Sequence, residues 1–508
     1  MIPRLITSPR KILDSLSAVE AGSLFPRLAN QALSLFLILF ALSIPHSIAA
    51  SQISLGLALI AWLLRDLALR KFHFARTPID APIACFIGLT MLSSVFSLEP
   101  EISLPKLKTL VLFATVYLLA TNLKASGVKL LAGLLVASAL CGVGFSLVEK
   151  VVGRGMVVTS IEHDSPLAAT KLHPGDVIWM IARKRVASPE AAAAVIRQHR
   201  SGETLELEAL HAGDPVPATL VVTEELKARS NPLGITTIGS SRQFRVSGFS
   251  RQFLTYAEQM QILALLAYGG LLVGLMNRRQ IKNRNWLLLC SVLFVLFGLA
   301  LVLTASRAVI ASFIVTLLIV SLSAGRRAVM IALIAAILLG ALGVYTVTSS
   351  RQQTMTSFKD DSTTRRIGYM KAGLRVIPKY PLLGIGMDSH KLHWQELGFP
   401  GYYITHTHST PIQIAMDRGL PALACYCWWI AVLLIAAYKD FKQKSRPENQ
   451  IGLFSSSLPL GVFAAITGFM LSSLTNYNFG DSEALTLLLF VVGLFLATTL
   501  KTQSKSLP

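Results

Sequence analysis

Long apolar runs separated by short basic loops dominate this chain. Runs of about 18 to 25 residues match the length a helix needs to cross a bilayer core. They predict spans at 28–45, 47–67, 79–97, 106–122, 128–149, 254–276, 285–304, 307–323, 328–348, 411–438, 453–474 and 484–500. Two polar stretches, 150–253 and 349–410, interrupt the rhythm, and with twelve spans both fall on one side of the membrane. The first span starts too late and lacks a small-residue cleavage site, so it reads as a retained helix rather than a signal peptide.

Charge sets the orientation. Of 508 residues, 53% are hydrophobic and only 15% charged, too few charges for a soluble protein of this size. Basic clusters such as Arg65/Arg70/Lys71, Arg278/Arg279, Arg326/Arg327 and Lys439/Lys442/Lys444 all lie on the side that holds both termini. By the positive-inside rule that side is cytoplasmic and the polar stretches face outward. Much of the net charge of +20 is thereby explained, with no need for a nucleic-acid partner. The five cysteines, Cys85, Cys141, Cys290, Cys425 and Cys427, all fall in predicted spans and read as small apolar residues.

The first polar stretch has the order strand, short helix, turn, strand, helix, strand. Residues 157–161 and 204–208 read as strands, and Pro174-Gly175 marks a turn. With Ser165-Pro166-Leu167-Ala168-Ala169 and Gly175-Asp176-Val177-Ile178, it resembles a bacterial PDZ domain. That resemblance implies strand addition of an extended chain end, a peptide or protein partner, with Gly153-Arg154-Gly155-Met156 as the carboxylate loop. A spacer or brace on the membrane core is the other reading.

The chemistry gathers at His406-Thr407-His408-Ser409-Thr410-Pro411-Ile412-Gln413, continuing to Asp417-Arg418-Gly419. Histidines directly before a membrane helix place titratable groups at the membrane surface. Upstream stand Arg245-Val246-Ser247-Gly248-Phe249, Thr304-Ala305-Ser306-Arg307, and Arg366 fifteen residues before Pro381-Leu382-Leu383-Gly384-Ile385-Gly386. With Ser97-Leu98-Glu99-Pro100, Ser103 and Lys106, this ordered set resembles the superfamily of O-antigen ligases and O-antigen polymerases. Ser409 stands where that family usually has Asn.

The resemblance implies transfer of a glycan from a polyprenyl (undecaprenyl) diphosphate carrier to an acceptor hydroxyl at the periplasmic face of a bacterial inner membrane. His408 is then the general base. Arg245, Arg307 and Arg366 hold the diphosphate, whose charge grows as the glycosidic bond breaks. His406 and Gln413 also contact substrate, and one displacement by the hydroxyl inverts the anomeric centre. The leading acceptor is a lipid A core. Repeat-unit polymerisation, transfer to a protein hydroxyl, and a non-catalytic scaffold acting through the PDZ-like unit are the competing readings.

Neither Asp360-Asp361 nor the two histidines has the ligand set of a cation cage. Gly384 and Gly386 do not follow a strand in a βαβ unit. The expected reaction uses no metal, nucleotide or other cofactor. Glu258, near the outer end of a span, is a functional candidate because ionisable groups at that depth are expensive; the other reading is that it snorkels or pairs with an arginine. The expected fold is an all-α polytopic membrane protein of about twelve helices with a small α+β periplasmic insert. Its sectors are 1–149, 150–225, 226–348, 349–410 and 411–508.

Overall fold

The computed structural model describes residues 9–19, 22–168, 170, 172–211, 214–250, 252–277, 283–351, 361–401, 406–445 and 452–504. Arg278, Arg279, Asp360 and both extreme termini lie outside the described residues.

Among the described residues, ten helices are long and apolar enough to cross a membrane, and two shorter apolar helices join them, Asp80–Val95 and Arg307–Ser321. The chain is a multi-pass membrane protein. Every predicted span has its helix, but two fall short of the roughly 20 residues a full crossing needs. Arg307–Ser321 begins where predicted, and Ala305, in left-handed backbone (φ 51°), separates it from Asn283–Leu303. The fourth span is only partly α-helical. Leu104–Phe113 forms a 3₁₀ segment between Pro100–Ser103 and Ala114–Asn122, which stretches it, because a 3₁₀ turn rises about 2.0 Å per residue against 1.5 Å. The helix Thr410–Lys444 is longer than its predicted 411–438 and is broken at Gly419 (φ 84°, ψ 168°).

Phe253–Met276 and Ser482–Ser504 are the most enclosed spans and mark the bundle's centre. Leu453–Ser473 packs against the first of them with Gly269 and Gly461 in backbone contact, the close approach that small residues permit between membrane helices. The five cysteines are free thiols.

The insert is the expected small α+β unit. Its strands are β1 (Met156–Ile161), β2 (Val177–Ile181), β3 (Lys184–Arg185), β4 (Thr204–His211), β5 (Asp214–Val221) and β6 (Ile235–Ile238). They form one antiparallel sheet in the order β5-β4-β2-β1-β6, with β3 paired to β2. Helix Pro189–Arg197 opens on Ser188, whose side chain accepts from the Ala191 N–H, and packs Ile196 with Val158, Ile178 and Leu207 into a core of its own. β6 lies beyond the expected boundary at 225.

Candidate active site

The site begins with a missing hydrogen bond. Pro421 has no N–H to give the carbonyl of Asp417, one turn back. That oxygen instead accepts the Gly386 N–H at 2.9 Å and the Ser93 hydroxyl at 2.7 Å. Next to it, the Ile385 N–H donates to Met416 O at 2.9 Å, and the Leu420 N–H donates to Pro381 O at 2.8 Å. Residues 381–386 therefore strap the break in Thr410–Lys444. Glycines are required because the backbones touch: a Cβ on Gly384 (φ 67°) would lie 2.5 Å from the Asp417 carbonyl carbon.

The strap reaches the loop before the fourth span. The Leu98 N–H donates to Ile385 O at 3.0 Å, and the Ser97 hydroxyl meets those of Ser103 (2.8 Å) and Ser389 (2.7 Å). Lys106 and Lys391 pair with Asp388 at 2.6 and 2.8 Å. Burial opposes ionisation of Asp388, but these two ammonium groups win and hold its carboxyl below the ordinary range. Glu99 meets His393 Nε2 at 2.8 Å.

The arginines come from other segments of the chain. Buried Arg245 donates Nε–H to Thr304 O at 3.1 Å and lies over the Phe253 ring at 3.2 Å. The Val246 N–H donates to Leu303 O at 3.2 Å, so this segment docks on the turn that carries Arg307. Arg307 Nη2 reaches Thr363 Oγ1 at 3.4 Å. Thr363 lies one turn before Arg366 in helix Asp361–Val376, and Arg366 acts electrostatically on both histidines. Arg245 and Arg307 thus share one turn, Arg307 reaches the helix that carries Arg366, and Arg366 lies within electrostatic reach of His408.

His408 holds left-handed backbone (φ 57°), a conformation that costs a non-glycine residue energy and recurs at functional sites. Its N–H donates to His406 Nδ1 at 3.2 Å. The two rings meet edge to face at 4.3 Å, and Tyr369 stacks on His408 at 6.0 Å. Among the described residues, His408 Nδ1 has no hydrogen-bond partner. The expected base with a pKa near working pH is not what this environment gives. Burial first, then His406 and Arg366, lower the His408 pKa to about 3, and burial with Arg366 lowers that of His406 to about 4. Both imidazoles are neutral.

Gln413 sits behind them, buried. Its Oε1 accepts the Thr407 N–H at 2.7 Å, and its Nε2 donates to both oxygens of Asp417 (2.9 and 3.0 Å). This amide ties the histidine loop to the helix break. Glu258 does not snorkel. It is buried and accepts from the Ser472 hydroxyl and from Asn476 and Asn478 Nδ2 at 3.3 and 3.4 Å. Asn478 Oδ1 in turn accepts the Thr410 hydroxyl at 3.0 Å. Sequence reasoning missed His390, whose Nδ1 lies 3.8 Å from Asp417 Oδ1, and Tyr477, whose ring lies 5.5 Å from His406. The run Asp388-Ser389-His390 directly after the strap was the available signal for the first.

Residues 292–427 match the family described as O-antigen ligase, and residues 139–222 match the PDZ domain family. The chain carries an O-antigen ligase domain together with a PDZ domain. The ligase domain contains Arg307, Arg366 and the histidine pair, and its family points to O-antigen ligase- or polymerase-type glycan transfer. Over 69 residues, 14% of the chain, the sequence is 35% identical to the magnetosome formation protease MamE of Magnetospirillum gryphiswaldense, a match that covers 9% of that protein.

In the PDZ domain, Gly153–Met156 form a junction with the membrane helix. The Gly153 N–H donates to Glu149 O at 2.8 Å and the Arg154 N–H to Ser241 O at 2.8 Å. The Arg154 guanidinium binds Glu149 at 2.6 Å and lies over Trp179 and Phe244. The edge of β1, which follows this loop, is taken by β6 in antiparallel register, Val157 opposite Ile238 and Ile161 opposite Ile235. β6 lies beyond the PDZ match, which ends at 222.

Proposed function

We propose that the protein transfers a glycan from a polyprenyl diphosphate to an acceptor hydroxyl at the periplasmic face of the inner membrane, as an O-antigen ligase with a lipid A core acceptor. The observation that carries this reading is His408, held in left-handed backbone against His406 and within electrostatic reach of Arg366, inside the ligase domain. A base must be unprotonated to accept the hydroxyl proton. A diphosphate bound at Arg366 opposes that guanidinium's effect and raises the imidazole pKa, so the base strengthens when the donor arrives. Arg245 and Arg307 complete the clamp on the leaving group through fixed, permanently charged forks. His406 holds the His408 backbone through Nδ1, and Gln413 holds the loop. Proton removal and carbon–oxygen bond formation in one displacement invert the anomeric centre. The PDZ domain serves as a brace, and a peptide partner at β1 would have to displace β6.

Mixing the purified protein with a polyprenyl diphosphate glycan and, in separate reactions, core lipid, further carrier-linked repeat units or a serine-containing peptide tests this reading. Glycosylated core lipid is the expected product. Extension of carrier-linked chains alone would make the protein a polymerase, and no product with any acceptor would overturn the enzymatic reading.

A further inference from the structure

Arg418 is a buried cation, two of whose donors find no partner among the described residues. Only 4% of it is exposed, and it lines a cavity of about 150 Å³ with Lys106, Asp388, Tyr477 and Ser482. Its Nη2 donates to the Met387 thioether at 2.9 Å, a weak acceptor, and the guanidinium also acts on the Tyr477 hydroxyl. The Phe86 and Phe479 rings lie 5.8 Å from the guanidinium carbon. Among the described residues, Nε and Nη1 have no hydrogen-bond partner. Asp417 also lines the cavity and interacts electrostatically with Arg418, but the hydrogen bonds its carboxylate accepts come from the Gln413 amide.

Buried charged donors left without a hydrogen-bond acceptor are costly, so an arrangement like this gains when an anion completes it. The cavity holds roughly five water volumes, room for a phosphate group. Leu110, Leu112, Phe113 and Leu485 make its other walls apolar, which suits a phosphate attached to a lipid. Lys106 lines the same cavity. Tyr477 joins the cavity to the histidine pair through its contact with His406.

We propose that this cavity is a phosphate subsite, in which Arg418 donates Nε–H and Nη1–H to an oxyanion of a lipid-linked phosphate and Lys106 contributes charge beside it. The inference rests on the glycan-transfer reading for the identity of the lipid. Two substrates carry such a group, the donor with its diphosphate and an acceptor with a phosphorylated sugar.

The test uses the full-length protein in lipid nanodiscs, with inorganic pyrophosphate as the probe and Michaelis constants measured separately for donor and acceptor. Arg418→Gln is expected to weaken pyrophosphate binding roughly ten- to hundredfold, the scale of hydrogen bonds to a charged group, and Arg418→Lys to weaken it less. A raised KM for donor alone assigns the subsite to the carrier, and for acceptor alone to the acceptor's phosphate. Unchanged pyrophosphate affinity overturns the proposal, whatever the two Michaelis constants do. Should Arg418→Gln not fold, Thr109→Trp fills the cavity from an exposed position with Arg418 in place, and unaltered pyrophosphate binding there overturns it equally. His408→Ala separates the two readings. Retained turnover in that variant removes the proposed base, whereas the subsite stands or falls on pyrophosphate affinity.

Discussion

The backbone N–H of His408 donates to Nδ1 of His406 at 3.2 Å. That bond requires His406 to be neutral with its proton on Nε2, because a protonated imidazole has no lone pair at Nδ1. It also fixes the His408 backbone in its left-handed turn, so the chemistry proposed for one ring depends on the protonation state of the other.

His408→Ala is expected to lower turnover by about 10²–10⁴-fold, the usual contribution of a general base, with the protein still folded. In wild type the pH dependence of kcat/KM reports the free enzyme. Since the His408 pKa lies at about 3, the acid limb from this residue falls far below the ordinary value of about 6.5. The limb in kcat lies at higher pH, because the bound diphosphate favours the imidazolium. Acid limbs at the same pH in both profiles would count against a base tuned by the donor.

Stability follows the same two groups in the opposite sense. The folded-state pKa values, about 4 for His406 and about 3 for His408, lie below that of an unfolded histidine. The unfolded chain therefore binds more protons as pH falls below about 6.5, and the folded state loses ground from there downward. Thermal unfolding in detergent is expected to show a lower midpoint at pH 5 than at pH 7. A His406→Gln, His408→Gln double variant is expected to lose part of that difference.

Arg366→Ala is expected to lower kcat/KM by about 10²–10³-fold, the scale of one lost donor to a developing anion. Arg366→Lys restores only part of it, because an ammonium cannot reproduce a guanidinium's two-point hold. The same variants remove a cation that depresses His408, so Arg366→Ala also moves the kcat/KM acid limb upward in pH. An unmoved limb would mean that Arg366 does not act on the imidazole.

The strap over the helix break gives a backbone prediction. Gly384→Ala places a methyl against the Asp417 and Met416 backbone at a φ of 67°. It is expected to cost about 1–3 kcal/mol from conformation alone, with proteolysis appearing in 381–391 and activity falling with it. Gly340→Ala, in a helix with nothing within 4 Å of the new methyl, is the matched control and is expected to be neutral.

The parts of this molecule that were legible in the sequence are those governed by periodic burial or by a local signature. Span positions and the SPLAA and GDVI segments of the PDZ domain belong here, as do Arg307 at a helix start and the ordered motifs of the ligase domain. What was not legible depends on long-range pairing. Nothing near Asp417 shows that Pro421 frees its carbonyl for Gly386. Nothing near Glu258 shows that Ser472, Asn476 and Asn478 will satisfy it rather than an arginine. Gln413, read as a substrate contact, gives both ends of its amide to Thr407 and Asp417. The depressed histidine pKa values came from burial by segments distant in the chain, which residue type alone does not encode.

The occupied PDZ edge yields the last prediction. β6 adds to β1 in the manner of a peptide ligand, with the Val157 N–H donating to Gly239 O at 3.2 Å and Ile235 buried to 1% exposure. Ile235→Asp puts a charge into that core, an unfavourable burial that releases the strand. In the full-length variant, hydrogen exchange of the β1 segment 156–161 is expected to rise, while β4, two strands away, stays protected. A synthetic peptide with a free carboxyl end is expected to bind the variant and not the wild type. Because only residues 239–244 separate β6 from Arg245, release of the strand also loosens the segment that docks on Thr304, and donor KM rises. If β1 exchanges equally in both proteins, β6 is not the occupant of that edge and the bracing role assigned to the PDZ domain fails with it.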